Sequence, residues 1–498
     1  MEWGLNPLTS FESLDKIIAN KSSTIEDVLK CDQIRGAFRR QHPALVMYLT
    51  KNLNKLADIS LGIQEVESPA IQSAALFCLS NDAPVFTNQI TTNKAFLTKL
   101  SDFLKNPNPK YNNLVAFYRI FKNCLEKSSG FMFINFPDKQ SFIDNLVKML
   151  DIIPIYLLVK DIATNCYPSV NQFLENCKAP IIFLNSASPI SSSNSDNSND
   201  LAKAKPSDRH NQAVLEILSD FVHSAPSLAK IMATDEVIDK LLSFVFNGTN
   251  KSSEKASILL HSIIILQDDV KSNQKLFLAA SNHLAEKLSD LCSFVEKEGK
   301  YISSRSKAME VITYLLSKMP TIPDSAINLC KFLSAQIYLQ PVQSFLHINF
   351  YNLFTKICDK TNIIEITEIQ KVILEKIADY HKINANYFGI LFKLAGVIEN
   401  SPKKIKDDKW DQFIKTTYKE WTTIVNASYG GPLPIQKTDS SSSYEYEYEE
   451  EDEEDEEDED EDEEEEETDT SSTSSSSGEE DEGDNKKEKK KTDDQSKK

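Results

Sequence analysis

Glycine is scarce in this chain, at 12 of 498 residues, against an ordinary share of about 7%. Only Gly430 and Gly431 are adjacent. Few positions are therefore free to take positive φ, so tight hairpin turns and phosphate-cradling loops have little to be built from. Long apolar runs are also missing. The best stretch, Leu146 to Ile162, is broken by Lys148, Asp151, Pro154, Lys160 and Asp161, whereas a membrane span needs roughly 18 to 20 apolar residues in a row. The opening Met1-Glu2-Trp3-Gly4 lacks the basic-then-apolar layout of a secretory leader, which sets a reducing, cytoplasmic compartment as the expectation.

Paired cysteines are absent as well. Cys31, Cys78, Cys124, Cys166, Cys177, Cys292, Cys330 and Cys358 are scattered with no Cys-x-x-Cys among them, which excludes a zinc ribbon and a dithiol redox motif. They read as buried thiols, packing like small hydrophobes. The seven histidines include no i, i+3 or i, i+4 pair, so local metal-ligand spacing is missing, and each reads as a partly buried, hydrogen-bonded ring. There is no P-loop, no Gly-x-Gly-x-x-Gly, no His-Glu-x-x-His, no nucleophile elbow and no EF-hand loop. The expectation is a protein that is not an enzyme and holds no cofactor and no metal.

Charge is plentiful but unevenly placed. The whole chain carries -20, yet residues 439 to 498 hold 31 acids and 7 bases, which leaves 44 acids and 48 bases in the preceding 438 residues. The body is near neutral, and body and tail need separate readings. Residues 445 to 467 carry 21 acids, interrupted only by Tyr446 and Tyr448, and self-repulsion keeps such a segment disordered. Ser442, Ser476 and Ser477 each have glutamate three residues on, the pattern an acidophilic kinase selects, so they are candidate phosphorylation sites. The terminal cluster around Lys486 to Lys491 is a candidate nuclear-import signal. A nucleic-acid partner would call for a basic stripe with interleaved aromatics, which the body does not supply.

From residue 9 to about 427 the apolar residues recur at helical spacing. Val214, Ile217, Leu218, Phe221 and Val222 fall on one helix face, as do Ala308, Val311, Ile312, Leu315 and Leu316. Ile369, Val372, Ile373, Ile377 and Tyr380 nearly repeat the pattern. Thr9-Ser10-Phe11-Glu12 and Ser23-Thr24-Ile25-Glu26 read as capping boxes, and the prolines between periodic segments as stops. Trp410 and Trp421 share a face of a helix over Lys403 to Trp421, which favours core packing over base stacking. About twenty helices of 10 to 20 residues are expected, and no confident strand. No repeat consensus recurs, but helix, short turn, helix continues for some 400 residues. That pattern predicts an all-α, HEAT/armadillo-like α-solenoid over 1–428, the alternative being two or three helical bundles. Residues 185–208, rich in serine and asparagine, are expected to be a disordered insert, and 429–498 a disordered acidic tail.

The sequence has six arginines, and Arg35, Arg39 and Arg40 fall within six residues. One reading is a docking patch for an acidic partner or for the chain's own tail. The other is a solvated helix face beside Asp27 and Asp32.

Several segments carry a resemblance. Ala75 to Pro84 forms a helix ending in Asn81-Asp82-Ala83-Pro84; Phe96 to Leu104, Asn113 to Phe121 and Phe142 to Val147 follow in order. After the Ser-rich stretch come His210 to Leu218 and Ile238 to Phe246. In order and spacing these resemble the SAPS-domain family, regulatory subunits of the protein phosphatase 6 type of Ser/Thr phosphatase. The likeness is clearest over about 70 to 270. The aromatic-rich opening of the family is reduced here to Trp3, and the turn after the Phe142 helix is Asp151-Ile152-Ile153-Pro154. The resemblance implies a helical scaffold that binds the phosphatase catalytic subunit and directs it to substrates, in some cases with an ankyrin-repeat third subunit. A rival expectation of another class is a helical-repeat transport or chromatin-associated protein whose acidic tail binds basic cargo.

Overall fold

The computed structural model describes residues 11–106, 108–165, 167–189, 207–269, 274–297, 299–378 and 387–426. The chain divides into two units, Met1–Ala427 and Ser428–Lys498, and all the described residues belong to the first. Ser442, Ser476, Ser477 and the acidic run lie outside them.

The described residues are helical throughout, from Glu12–Ala19 to Lys419–Val425, with no strand among them. The helices are more numerous and shorter than the periodicity predicts: twenty-eight α-helices, including Ile34–Arg39 and the four-residue Met132–Asn135. They form an α-solenoid, and its repeat is visible in the packing. Ile34–Arg39, Pro69–Ser80, Tyr111–Lys127, Ile153–Thr164, Asp208–Ser224, Asn250–Asp269, Ser303–Lys318, Ser344–Ile357 and Phe388–Asn400 each pack on the next, making a ladder of long helices. A parallel series, Glu12–Ala19, Pro43–Lys51, Pro84–Thr92, Met132–Asn135, Pro168–Asn176 and Pro226–Met232, packs in the same successive way. In the N-terminal half the helices of both series therefore meet the third one after them, which is the three-helix, armadillo-like unit.

The ladder helices beginning at Pro69, Tyr111 and Ile153 start 42 residues apart, as do those beginning at Asp208 and Asn250. This period has no consensus sequence behind it, because it is set by which faces are apolar rather than by fixed residues. The periodic positions are indeed core: Val214, Ile217, Leu218, Phe221 and Val222 are buried, and so are Ala308, Val311, Ile312, Leu315 and Leu316. Ile369, Ile373 and Ile377 are buried too, Val372 is partly covered, and Tyr380 lies outside the described residues. One buried apolar cluster runs from Leu14 to Phe413, which favours the stack over separate bundles.

Several local expectations need correction. Prolines act in both ways: Pro320, Pro341 and Pro402 follow helix C-caps as stops, whereas Pro43, Pro84, Pro168 and Pro226 each open a helix, where the missing N–H would have had no intrahelical partner and the fixed φ is already helical. The capping box near residue 24 is shifted by one position. Thr24 caps the backbone N–H of Asp27 at 3.2 Å, and the Asp27 carboxylate returns to the Thr24 N–H at 2.7 Å, so aspartate does the work assigned to Glu26. Phe11 is the N-cap of the first helix, with no side-chain cap, while Thr9 and Ser10 lie outside the described residues. The helix around the tryptophans starts at Asp408, behind an Asp407 cap, and continues through a π-helical turn, Ile414–Tyr418. Of the insert expected over 185–208, the described ends are ordered: Asn185 and Ser186 end a helix, Ser188 exchanges backbone hydrogen bonds with the Asn211 side chain at 3.2 and 2.7 Å, and Ser207 caps the next helix; residues 190–206 lie outside the described residues.

Polar side chains stitch one repeat to the next. Buried Asn123 donates to Leu79 O at 3.1 Å, Thr249 Oγ1 donates to Asp208 at 2.7 Å, and Ser401 donates to Asp359 at 2.6 Å. Lys360 donates to the carbonyls of Leu316, Ser317 and Met319 at 2.9 to 3.1 Å, capping the end of Ser303–Lys318 from the following repeat. Positive charge at a helix C-terminus stabilises it by roughly 0.3–1 kcal/mol. Lys360→Met is accordingly expected to lower the thermal midpoint slightly and to increase amide exchange selectively in residues 314–319. Unchanged exchange there would show that the cap is not maintained in solution.

Candidate partner-binding surface

The ladder helices carry the most organised polar chemistry of the described residues. Three of them contain Tyr-x-x-x-Lys: Tyr118 with Lys122, Tyr156 with Lys160, and Tyr314 with Lys318. Spacing i, i+4 puts tyrosine and lysine on one face, and each ammonium lies 5.3 to 5.9 Å from its tyrosine ring centroid. Each pair then holds an acid on the adjacent ladder helix. Tyr118 Oη donates to Asp161 at 3.0 Å, with Lys122 at 3.4 Å. Tyr156 Oη donates to Glu216 at 2.6 Å, with Lys160 at 3.1 Å. Tyr314 Oη donates to Asp268 at 2.9 Å, with Lys318 at 2.8 Å. These residues were not foreseen; the recurring Tyr-x-x-x-Lys was the legible signal, but its acid partners lie 43 to 60 residues away in sequence.

Two of these clamps form walls of cavities over ladder junctions. A cavity of about 360 Å³ lies among Ile153, Tyr156, Leu157, Arg209, Glu216 and Lys255. Another, of about 410 Å³, is lined by His261, Glu310, Tyr314, Asn349, Asn352 and Lys356. In the first, desolvation pushes Glu216 up, but hydrogen bonds from Tyr156, Lys255 and Lys160 outweigh it and hold the carboxyl at about 2. Burial and the bond to Glu216 push Tyr156 up to about 12. In the second, burial lowers His261 below its ordinary value, and its ring lies edge-on to Tyr314 at 5.8 Å. Glu216 and Tyr156 titrate far from neutrality, so they present a fixed charge and a fixed donor rather than a poised acid and base.

The arginine cluster is divided between two aromatic rings. Arg35, Arg39 and Arg40 are all exposed. Arg35 and Arg39 lie over Phe77, at 5.3 and 5.7 Å, whereas Arg40 lies over Phe11 at 5.8 Å. The carboxylates proposed as their neighbours behave differently: Asp27 is taken up by its capping box, and Asp32 is exposed in the preceding turn.

A third feature is apolar. Leu339, Val342, Phe345 and Ile348 are 53 to 72% exposed, at three-residue spacing across the turn between Asp324–Leu339 and Ser344–Ile357.

Of the described cysteines, Cys31 is partly exposed and Cys78, Cys124, Cys177, Cys292, Cys330 and Cys358 are buried and free. Burial pushes the Cys78 and Cys124 thiols up to about 12, and they are unreactive core groups. Trp410 is fully buried, with Nε1 donating to Glu399 at 3.0 Å, and Trp421 stacks on Phe392 at 4.8 Å, so both tryptophans are packing residues. Four histidines have polar partners: His42 with Asp15, His210 with Ser186, His223 with Ser219 O and His283 with Asp239. Among the described residues no helix is long and apolar enough to cross a membrane. No protein-family model matches the chain, and no curated protein matches its sequence.

Proposed function

We propose that this chain is a non-catalytic regulatory scaffold that binds a phosphatase-6-like Ser/Thr protein phosphatase catalytic subunit and directs its substrate choice or location. The observation that carries the reading is the agreement between the resembling segments and the repeat. Asn113 to Phe121 and His210 to Leu218 fall on ladder helices, and Ala75 to Pro84 begins on one; Phe96 to Leu104, Phe142 to Val147 and Ile238 to Phe246 fall on other helices of the stack. A stack of this kind acts by geometry, presenting one surface to the enzyme and another to a substrate or an ankyrin-repeat third subunit, which raises their effective concentration. The fixed charges of the ladder clamps and the apolar side chains around Phe345 are surfaces suited to recognition. The reading places the protein in the cytoplasm, with the terminal lysine cluster available for nuclear import.

The test is purification of the tagged full-length chain at endogenous level, with its stoichiometric partners identified by mass spectrometry. A phosphatase catalytic subunit is expected, and it should persist when residues 439–498 are deleted. Its absence sinks the proposal.

The strongly acidic run over 445 to 467 supports a second reading, a transport or chromatin-associated protein binding basic cargo through the tail. In that case basic proteins co-purify with the full chain and are lost with the tail.

A further inference from the structure

We propose that Arg35 and Arg39 form a docking site for a phosphorylated peptide segment of a partner protein, with the phosphate held between two guanidinium groups that one aromatic ring positions. The inference goes beyond the phosphatase reading and does not require it.

The two arginines stand one turn apart on Ile34–Arg39, so they leave the helix as neighbours, with Cβ atoms about 5–6 Å apart. Both guanidinium groups lie over the same Phe77 ring. That ring is held in turn by the fully buried Phe38, edge-on at 6.0 Å, and Phe38 by Phe86 at 5.5 Å. Arg35 is further fixed by a hydrogen bond from Nη2 to Ser73 Oγ at 3.2 Å. Much of the ordering cost of two long side chains is therefore met before any ligand arrives.

The pair has no anion of its own. Neither arginine forms an ion pair among the described residues. Carboxylates of the surrounding helices are committed elsewhere: Asp27 to Thr24, Glu67 to Lys30 at 2.7 Å, Glu26 to Gln64 at 3.0 Å and Asp15 to His42 at 2.7 Å. Exposed Asp32, in the preceding turn, bridges to neither.

The surface beside the pair is open. At 100° per residue, position 36 lies between the Arg35/Arg39 edge and Arg40, and it is glycine. A Cβ built there would meet nothing nearer than Phe11 at 3.8 Å, so the backbone forms a bare floor beside the two forks.

A phosphomonoester suits this arrangement better than a carboxylate. It carries about -1.5 to -2 charges and three acceptor oxygens, enough for two guanidinium forks, whereas a carboxylate offers its two oxygens to one. A polyanion such as RNA fits less well, because the body as a whole is near neutral and offers no extended basic stripe.

The test presents full-length protein with a degenerate peptide pool carrying one central phosphoserine or phosphothreonine, with the same pool dephosphorylated, and with a single-stranded RNA. Enrichment of the phosphorylated pool alone is expected, fading as salt rises. R35A/R39A should reduce its affinity at least about tenfold, with an unchanged circular dichroism spectrum and thermal midpoint. R35K/R39K, which keeps the charge and the exposed positions, should lose nearly as much because an ammonium lacks the planar fork. The proposal is overturned if the wild type does not enrich the phosphorylated pool, if it retains the dephosphorylated pool or the RNA equally, or if R35K/R39K binds as well as the wild type.

Discussion

Phe142→Ala is expected to destabilise the N-terminal half of the stack by about 3–5 kcal/mol, the usual cost of truncating a fully buried phenylalanine that cannot be replaced by collapse of its surroundings. Phe142 is completely buried and meets four other rings. It stacks on Phe121 at 5.3 Å and 10°, lies 4.5 Å from Phe136, and is 6.5 and 6.4 Å from Phe133 and Phe173. Those rings come from Tyr111–Lys127, the Met132–Asn135 segment and its C-cap, and Pro168–Asn176. The cluster therefore ties a ladder helix to helices of two successive units. Because each unit of a repeat stack depends on its neighbours, the loss should be regional. Hydrogen exchange should accelerate across residues 111–176 while Phe388–Asn400 keeps its protection. Phe142→Leu, which leaves a smaller void, should cost markedly less. Equal loss of protection along the whole chain would instead make the described unit one cooperative block.

The contrast between this cluster and the polar ladder explains what could be read in advance. Apolar periodicity is local, so the faces of Asp208–Ser224 and Ser303–Lys318 were legible position by position. Helix class follows from the same signal combined with scarce glycine. The helical-repeat architecture was legible but its period was not, since the 42-residue spacing is carried by packing faces and by different residues at each junction: Asn123 to Leu79 O, Ser401 to Asp359, Thr249 to Asp208. Prolines misled because a proline between two periodic segments marks a boundary without saying whether one helix has ended or the next has begun. The cap near Thr24 was one residue off because Asp27 serves as well as a glutamate for reaching back to the N-cap amide. For the arginines, the sequence grouped Arg35, Arg39 and Arg40 but not their division between two rings. The platform shared by Arg35 and Arg39, Phe77, lies on the next ladder helix, and only tertiary structure brings it beneath them.

Glu216 is the residue whose removal should most affect the ladder's polar face. It receives Tyr156 Oη at 2.6 Å and Lys160 at 3.1 Å from one neighbouring helix, and Lys255 at 3.0 Å from the other, so one carboxylate joins three successive ladder helices. Its carboxyl is held near 2, below its ordinary 4.5. A depressed folded-state value means stabilisation that is complete above about 4.5 and lost as pH falls through about 2. The full shift would correspond to about 3 kcal/mol. The side chain is 34% exposed, however, and solvent screening reduces this to about 1–2 kcal/mol. Glu216→Gln should therefore lower the urea midpoint at pH 7, and its difference from the wild type should shrink steadily from pH 5 to pH 3. Asp220, one turn on, supplies a sharper check. Desolvation raises it, Lys160 opposes that rise and Glu216 adds to it, and its Oδ2 is buried with no hydrogen-bond partner. Asp220→Asn should thus be neutral or slightly stabilising in the wild type, since a poorly solvated charge is removed. In the Glu216→Gln background, Asp220 becomes the remaining carboxylate for Lys160 and Lys255, and the same substitution should destabilise. A reversal of sign in that double-mutant cycle would establish that the two acids share one pair of cations; additive effects would mean that Lys160 and Lys255 serve Glu216 alone.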